Sequence, residues 1–263
     1  MGYNAAMDDI PNVLACDVGN SAVRFAHVKG ETVGPPRRFR VGELGGLGAA
    51  LGELWTQIPA PKRLVAASVN PAALKALEAA AAEALGQEVL LIGRDLPLPI
   101  ETRLPDPESI GVDRLCAAVA AYDRLGQACV VADFGTAITI DCVGADGVFL
   151  GGAILPGLGM SADSLHDHTA QLPRVEPARP GWVFGRSTRE AIVGGIIAAA
   201  RGALRELAEA YATELGRWPL VILTGGDAAL VCEHPGDSEL VQAVVPDLVL
   251  RGVAMAYYGT LVR

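Results

Sequence analysis

Aromatic residues are scarce in this 263-residue chain, at 5%. So few rings leave little for stacking on nucleic-acid bases, and the core must rest on Ala, Val, Leu and Ile. Basic runs are missing too, and the net charge is −9, so no electrostatic footprint for nucleic acid exists and no such partner is expected. The five cysteines, Cys16, Cys116, Cys129, Cys142 and Cys232, include no C-x-x-C pair. Their wide spacing in apolar runs suggests neither a zinc site nor a disulfide framework. They read as small buried hydrophobes in a reducing, cytoplasmic compartment. No stretch of about 18 apolar residues occurs, so no membrane span is expected. Met1 to Pro11 carries Asp8 and Asp9 and lacks the apolar centre of a signal peptide. The histidines His27, His166, His168 and His234 fit no zinc motif. The alternate spacing of His166 and His168 would suit a metal only on a strand, and their neighbours read as helix or loop.

What is present is ample apolar material: 51% hydrophobic against 19% charged residues, enough for one large domain or two small ones. A repeated unit organises it. Val13 to Val28 reads as strand, tight Asp17-Val18-Gly19-Asn20 turn, strand. Cys129 to Val143 reads the same way around Asp133-Phe134-Gly135-Thr136. Each unit runs an apolar strand into an Asp, with Gly two places on where a turn or a ligand needs room. Gly147 to Leu155 supplies a further strand, as do Leu64 to Val69, Glu88 to Ile92 and Leu220 to Leu223. Helices are predicted over Pro71–Leu85, Ile110–Leu125, Thr188–Leu215 and Asp247–Val262. Ser187 or Thr188 is a candidate cap for the third, and Gly216 its stop. Proline-rich breaks fall at Gly93–Pro107 and Leu172–Gly181. The expected organisation is two α/β halves, residues 1–125 and 126–263, each opened by a hairpin with an acidic turn.

The chemistry-bearing residues follow this layout. In Asp17-Val18-Gly19-Asn20-Ser21, backbone N–H groups and small polar side chains can meet phosphate oxygens, and Asp17 can hold Mg²⁺ directly or through water. An ordinary hairpin turn is the other reading. In Asp133-Phe134-Gly135-Thr136-Ala137, Asp133 would sit near a cation and Thr136 offer a hydroxyl to phosphate. The pair of acidic turns is more telling than either one, because an Asp after a buried strand is costly to desolvate without a partner. Thr224-Gly225-Gly226-Asp227 lets a ligand approach the backbone at a helix start, or is a plain turn capped by Asp227. In Gly111-Val112-Asp113-Arg114, Arg114 suits a carboxylate and Asp113 can accept a hydroxyl proton. The same residues would equally well favour a helix dipole. Gly151-Gly152 and Pro156-Gly157 end a strand in either a ligand wall or a tight exit. Thr188, after Gly185-Arg186-Ser187, bonds a ligand or caps its helix.

Taken in order, these motifs, together with Thr169-Ala170-Gln171-Leu172-Pro173, resemble the type III pantothenate kinases over about Leu14 to Met255. Those kinases fall within the acetate kinase, sugar kinase, Hsp70 and actin group. The resemblance implies a duplicated ribonuclease H-like (actin-like ATPase) α/β fold, with ATP in the cleft between two domains. It implies phosphorylation of pantothenate to 4'-phosphopantothenate, the first step of coenzyme A synthesis. Asp113 matches the general base, and Gly111, Val112, Asp113 and Arg114 the pantothenate-binding stretch. Asp17, Val18, Gly19, Asn20, Ser21, Ala22, Val23 and Arg24 match the first phosphate loop, and Thr136, Gly225 and Gly226 further ATP contacts. Asp133 matches a monovalent-cation ligand for K⁺ or NH₄⁺, beside Mg²⁺. Thr188 matches a pantothenate contact given by the neighbouring subunit of a homodimer. Leu104 stands where the family often has a pantothenate-contacting Tyr, and Ser21 where Thr is commoner. A kinase for another small hydroxy acid, or a nucleotide-binding regulator of the same fold without turnover, are the alternative readings.

Overall fold

The computed structural model describes residues 10–232 and 240–261. His234 and Met1 to Asp9 lie outside the described residues, as does Val262 at the end of the predicted closing helix. The first stretch is β1 (Asn12–Val18), β2 (Ala22–Lys29), β3 (Thr32–Val33), β4 (Arg37–Arg40), α1 (Leu47–Gln57), β5 (Lys62–Ser68), α2 (Pro71–Leu85), β6 (Leu90–Leu91) and α3 (Val112–Leu125). There follow β7 (Cys129–Phe134), β8 (Ala137–Val143), β9 (Phe149–Pro156), α4 (Leu158–Asp167), α5 (Thr188–Leu215), β10 (Leu220–Thr224), α6 (Ala228–Val231), β11 (Val241–Val244) and α7 (Leu248–Tyr258).

The sheets carry one topology twice. The first runs β3-β2-β1-β5-β6, with β4 also pairing β2, and the second runs β9-β8-β7-β10-β11. In each, a long strand is antiparallel to the strand that follows it and parallel to a later one. That central strand is covered on both faces, so it reads as a nearly unbroken apolar run: every residue of β1 is buried. The order of strands, with two helices on one face, is the ribonuclease H-like arrangement, duplicated within one chain.

The compact units are Met1–Arg124 with Asp247–Arg263, and Leu125–Pro246. The chain passes from the first unit to the second at residue 125, and the closing helix belongs to the first unit. α7 packs on β1, β2 and β5 of the first unit. Its Tyr258 hydroxyl donates to the Val28 carbonyl at 3.3 Å, and the Gly30 N–H donates to the same hydroxyl at 3.3 Å. Gly252 explains how the helix gets there. A Cβ on it would lie 1.9 Å from the Cys116 carbonyl oxygen of α3, so the two helix backbones touch. Glycine inside a helix costs some stability, and here close packing offsets it.

In the first unit, Leu14, Cys16 and Phe25 of the sheet meet Leu47 and Leu51 of α1 and Leu77 of α2. In the second, α5 lays Ile192, Ile196, Ala200, Leu204 and Ala208 on the sheet at four-residue spacing. Its start is a capping box: Ser187 Oγ accepts from the Glu190 N–H, and Glu190 accepts from the Arg186 N–H. Gly216 ends it in the left-handed conformation, with φ 64°. The cysteines of the described residues, all five, are free and buried. None of the described helices is long and apolar enough to cross a membrane.

Gly252→Ala should lower stability by about 2–3 kcal/mol, because backbone at 1.9 Å cannot yield as a side chain can. Urea denaturation checks this: an unchanged midpoint would mean that α7 does not press on α3 as described.

Candidate active site

Strand β1 delivers Asp17 to the end of the first hairpin. The side chain is buried, yet it is paired. Arg24, its cross-strand partner on β2, donates from Nε at 3.0 Å and from Nη2 at 2.7 Å. Both bonds converge on Oδ2. The Gly19 N–H is used inside the turn, donating to the Ala22 carbonyl at 3.0 Å. That amide is therefore not among the backbone N–H groups the turn can offer to phosphate oxygens. The exposed members are Asn20 and Ser21. The end of β5 closes the other side: the Val69 N–H donates to the Val18 carbonyl at 3.0 Å. Asn70, which caps α2, reaches the Gly19 carbonyl at 3.5 Å. Ser68 and Asn70 were not singled out in the sequence; Asn before Pro71 at a helix start was the available signal.

In the same unit, the first turn of α3 carries Asp113. Its Oδ1 accepts from the Arg114 N–H at 2.8 Å. A Cβ on Gly111 would sit 2.6 Å from that oxygen, so glycine there makes room for the carboxylate. Asp17 and Asp113 both push up the pKa of the buried Cys116 thiol, after burial itself, so both lie within electrostatic reach of one interior point. Gly111 and Val112 also wall a cavity of about 640 Å³, together with Ser68, Val69, Leu98 and Glu108. Leu104 is half-buried nearby in sequence and does not line it.

The second unit repeats the hairpin with a different filling. Asp133 ends β7 half-buried beside Phe134, and Thr136 is exposed at the turn. Strand β10 runs parallel to β7 with Thr224 opposite Asp133. The loop after it is pinned to the turn by the Asp227 N–H donating to the Phe134 carbonyl at 3.0 Å. Gly225 has φ 93°, and a Cβ on it would lie 2.4 Å from Asp133 Oδ1. Gly226 faces open space. The Gly157 N–H donates to the Thr136 carbonyl at 3.2 Å, so a third loop meets the same turn. Thr188 stands apart from these loops in sequence, as the exposed first residue of α5. Ser187, not Thr188, provides the cap, which leaves the Thr188 hydroxyl out of that role. His166 lies on α4 with Nδ1 at 2.8 Å from the Leu172 carbonyl, a structural contact.

Each unit ends a hairpin in a buried or half-buried carboxylate with a glycine-bearing loop beside it, and the duplicated α/β fold that carries them is the sugar-kinase and actin type. Solved structures carry the same fold. A protein described as a Baf family transcriptional activator from Campylobacter jejuni matches with a TM-score of 0.60 at 18% identity, over 95% of this chain and 100% of that one. One described as a 2-dehydro-3-deoxygalactonokinase from Sinorhizobium meliloti matches with a TM-score of 0.56 at 16% identity, over 95% and 96%. The family model described as type III pantothenate kinase matches residues 13–210. A type III pantothenate kinase from Paramagnetospirillum magneticum is 38% identical over 250 residues, 92% of this chain and 95% of that protein. The chain belongs to the type III pantothenate kinase family.

Gly225→Ala should displace Asp133 and strain a left-handed backbone, costing about 1–3 kcal/mol. Hydrogen exchange at the Asp227 amide reads the change locally. Protection equal to wild type would show that the loop has slack that the geometry denies.

Proposed function

We propose that this chain transfers the γ-phosphoryl group of ATP to the primary hydroxyl of pantothenate. The observation that carries this reading is Asp113 at the head of α3, its Oδ1 held by the Arg114 N–H, directly after Gly111 and Val112, which wall a cavity of about 640 Å³. Family membership supplies the substrate class. Asp113 accepts the hydroxyl proton while the alcohol oxygen bonds to phosphorus and the bond to the ADP oxygen breaks. Arg114 pairs with the pantothenate carboxylate, and Gly111 and Val112 form the floor beneath it. Val18, Gly19, Asn20, Ser21, Ala22, Val23 and Arg24 belong with the phosphates, as do Thr136, Gly225 and Gly226. Leu104 adds an apolar edge where a ring would add a hydroxyl.

The residues fit hard cations. Among the described residues no group of three or more His, Cys, Asp or Glu side chains forms a complete cage. Mg²⁺ ordinarily binds through one or two carboxylates plus phosphate oxygens and water, and Asp17 Oδ1 takes no part in the Arg24 pair. Asp17 is therefore assigned to Mg²⁺, and Asp133 to K⁺ or NH₄⁺. When bound, these ions neutralise charge on the phosphates that the acidic chain would otherwise repel.

A second copy of the chain completes the acceptor site with its Thr188. The support is local: Trp182, Val183 and Phe184, just before that helix, are 38%, 90% and 81% exposed, a large apolar stretch for a lone subunit. The free, buried cysteines support a reducing cytoplasm.

ATP-dependent phosphorylation of pantothenate, followed with and without potassium and with magnesium chelated, tests the reading. Asp113→Asn should cut turnover about a hundredfold or more while ATP still binds by calorimetry. Undiminished turnover in that variant would take Asp113 out of its role. ATP binding without transfer to pantothenate or to a panel of hydroxy acids, under any cation, would favour the regulator.

A further inference from the structure

We propose that Asp247 is a positioning residue for Arg24: it shares that guanidinium and so keeps Asp17 available to the magnesium–phosphate complex. This rests on the assignment of Asp17 made above.

The placement comes from α7. Tyr258, at its C-terminal end, is tied to Val28 and Gly30 at the far end of β2. The ten helical steps back to Leu248 cover about 15 Å at 1.5 Å each. The four steps of β2 from Val28 back to Arg24 cover about 13 Å. The helix packs on β1 and β2, and laid along β2 from Tyr258 it would bring its start level with Arg24 and with Asp17 opposite it. Asp247 is the residue at that start. Burial holds its pKa above the ordinary carboxylate value, and two groups pull the other way: Arg24, then Arg251, one turn along α7.

The backbone gives a second, independent reason. Asp247 has φ 66°, and it is the one non-glycine residue with positive φ among the described residues. Glycine would hold that conformation at less cost, and an amide would avoid burying a charge. A half-buried carboxylate in a left-handed residue is poor economy for the fold alone, and such outliers gather where a site needs them. The site needs it here because Arg24 directs two hydrogen bonds at one oxygen of Asp17. A guanidinium with no other anion in reach would draw the Asp17 carboxylate wholly to itself. A second carboxylate on its flank divides the attraction.

Asp247→Asn removes the charge and keeps both the size and the tolerance for positive φ. Calorimetric titration of ATP at stepped magnesium concentrations should then show half-saturation at roughly fivefold more magnesium, the size of a coupling between neighbouring charges. The melting temperature of the ligand-free variant should equal or exceed that of wild type, since a buried charge is gone. In an Arg24→Gln background the same substitution should leave the magnesium requirement unchanged. An unaltered magnesium requirement, or an effect that persists without Arg24, overturns the proposal. Asp17→Asn separates the two levels. If it leaves the magnesium requirement as it was, the assignment of Asp17 fails and this proposal with it. If it raises the requirement and Asp247→Asn does not, only the proposal fails.

Discussion

A carboxylate at the end of a completely buried strand has to be compensated, and the Asp17–Arg24 pair is how this chain does it. Moving an ionised carboxylate out of water costs several kcal/mol even after relaxation, so a lone Asp17 would neutralise or unfold the strand end. The register of β1 and β2 sets Arg24 directly opposite. Hairpin register, turn geometry and the orientation of Asn20 and Ser21 are thereby tied to one ion pair. The same pair explains why a third group is wanted nearby, since an Asp locked by a guanidinium is a poor ligand for anything else.

The second hairpin meets the same difficulty by other means. Asp133 is only half-buried, a Cβ on Gly225 would lie 2.4 Å from its Oδ1, and loops pinned by the Asp227 and Gly157 amides meet the same turn. One fold, duplicated, thus holds two acidic turns of different character.

Glycine placement links fold to site. Gly252 lets α7 lie against α3 while the helix packs on β1, β2 and β5. Cys116, a residue of the α3 contact, lies within electrostatic reach of both Asp17 and Asp113. Helix α7 therefore packs within the first unit, although it follows the second unit in sequence.

Residue order alone carried the two hairpins, the helices from Pro71 and Thr188 to their glycine stops, and the acidic turns. These follow from period, caps and breakers, which are local. It did not disclose α1, whose start at Gly46 lacks a side-chain cap, nor α4, capped by Gly157 with no side-chain bond. Nor did it disclose β11, a four-residue strand held by a parallel neighbour. Which sheet α7 joins, the bonding of Arg24 to Asp17, and the pull of the Arg24 charge on Asp247 came only from the folded chain. Burial, close backbone contact and charge proximity between residues far apart in sequence have no local pattern to announce them.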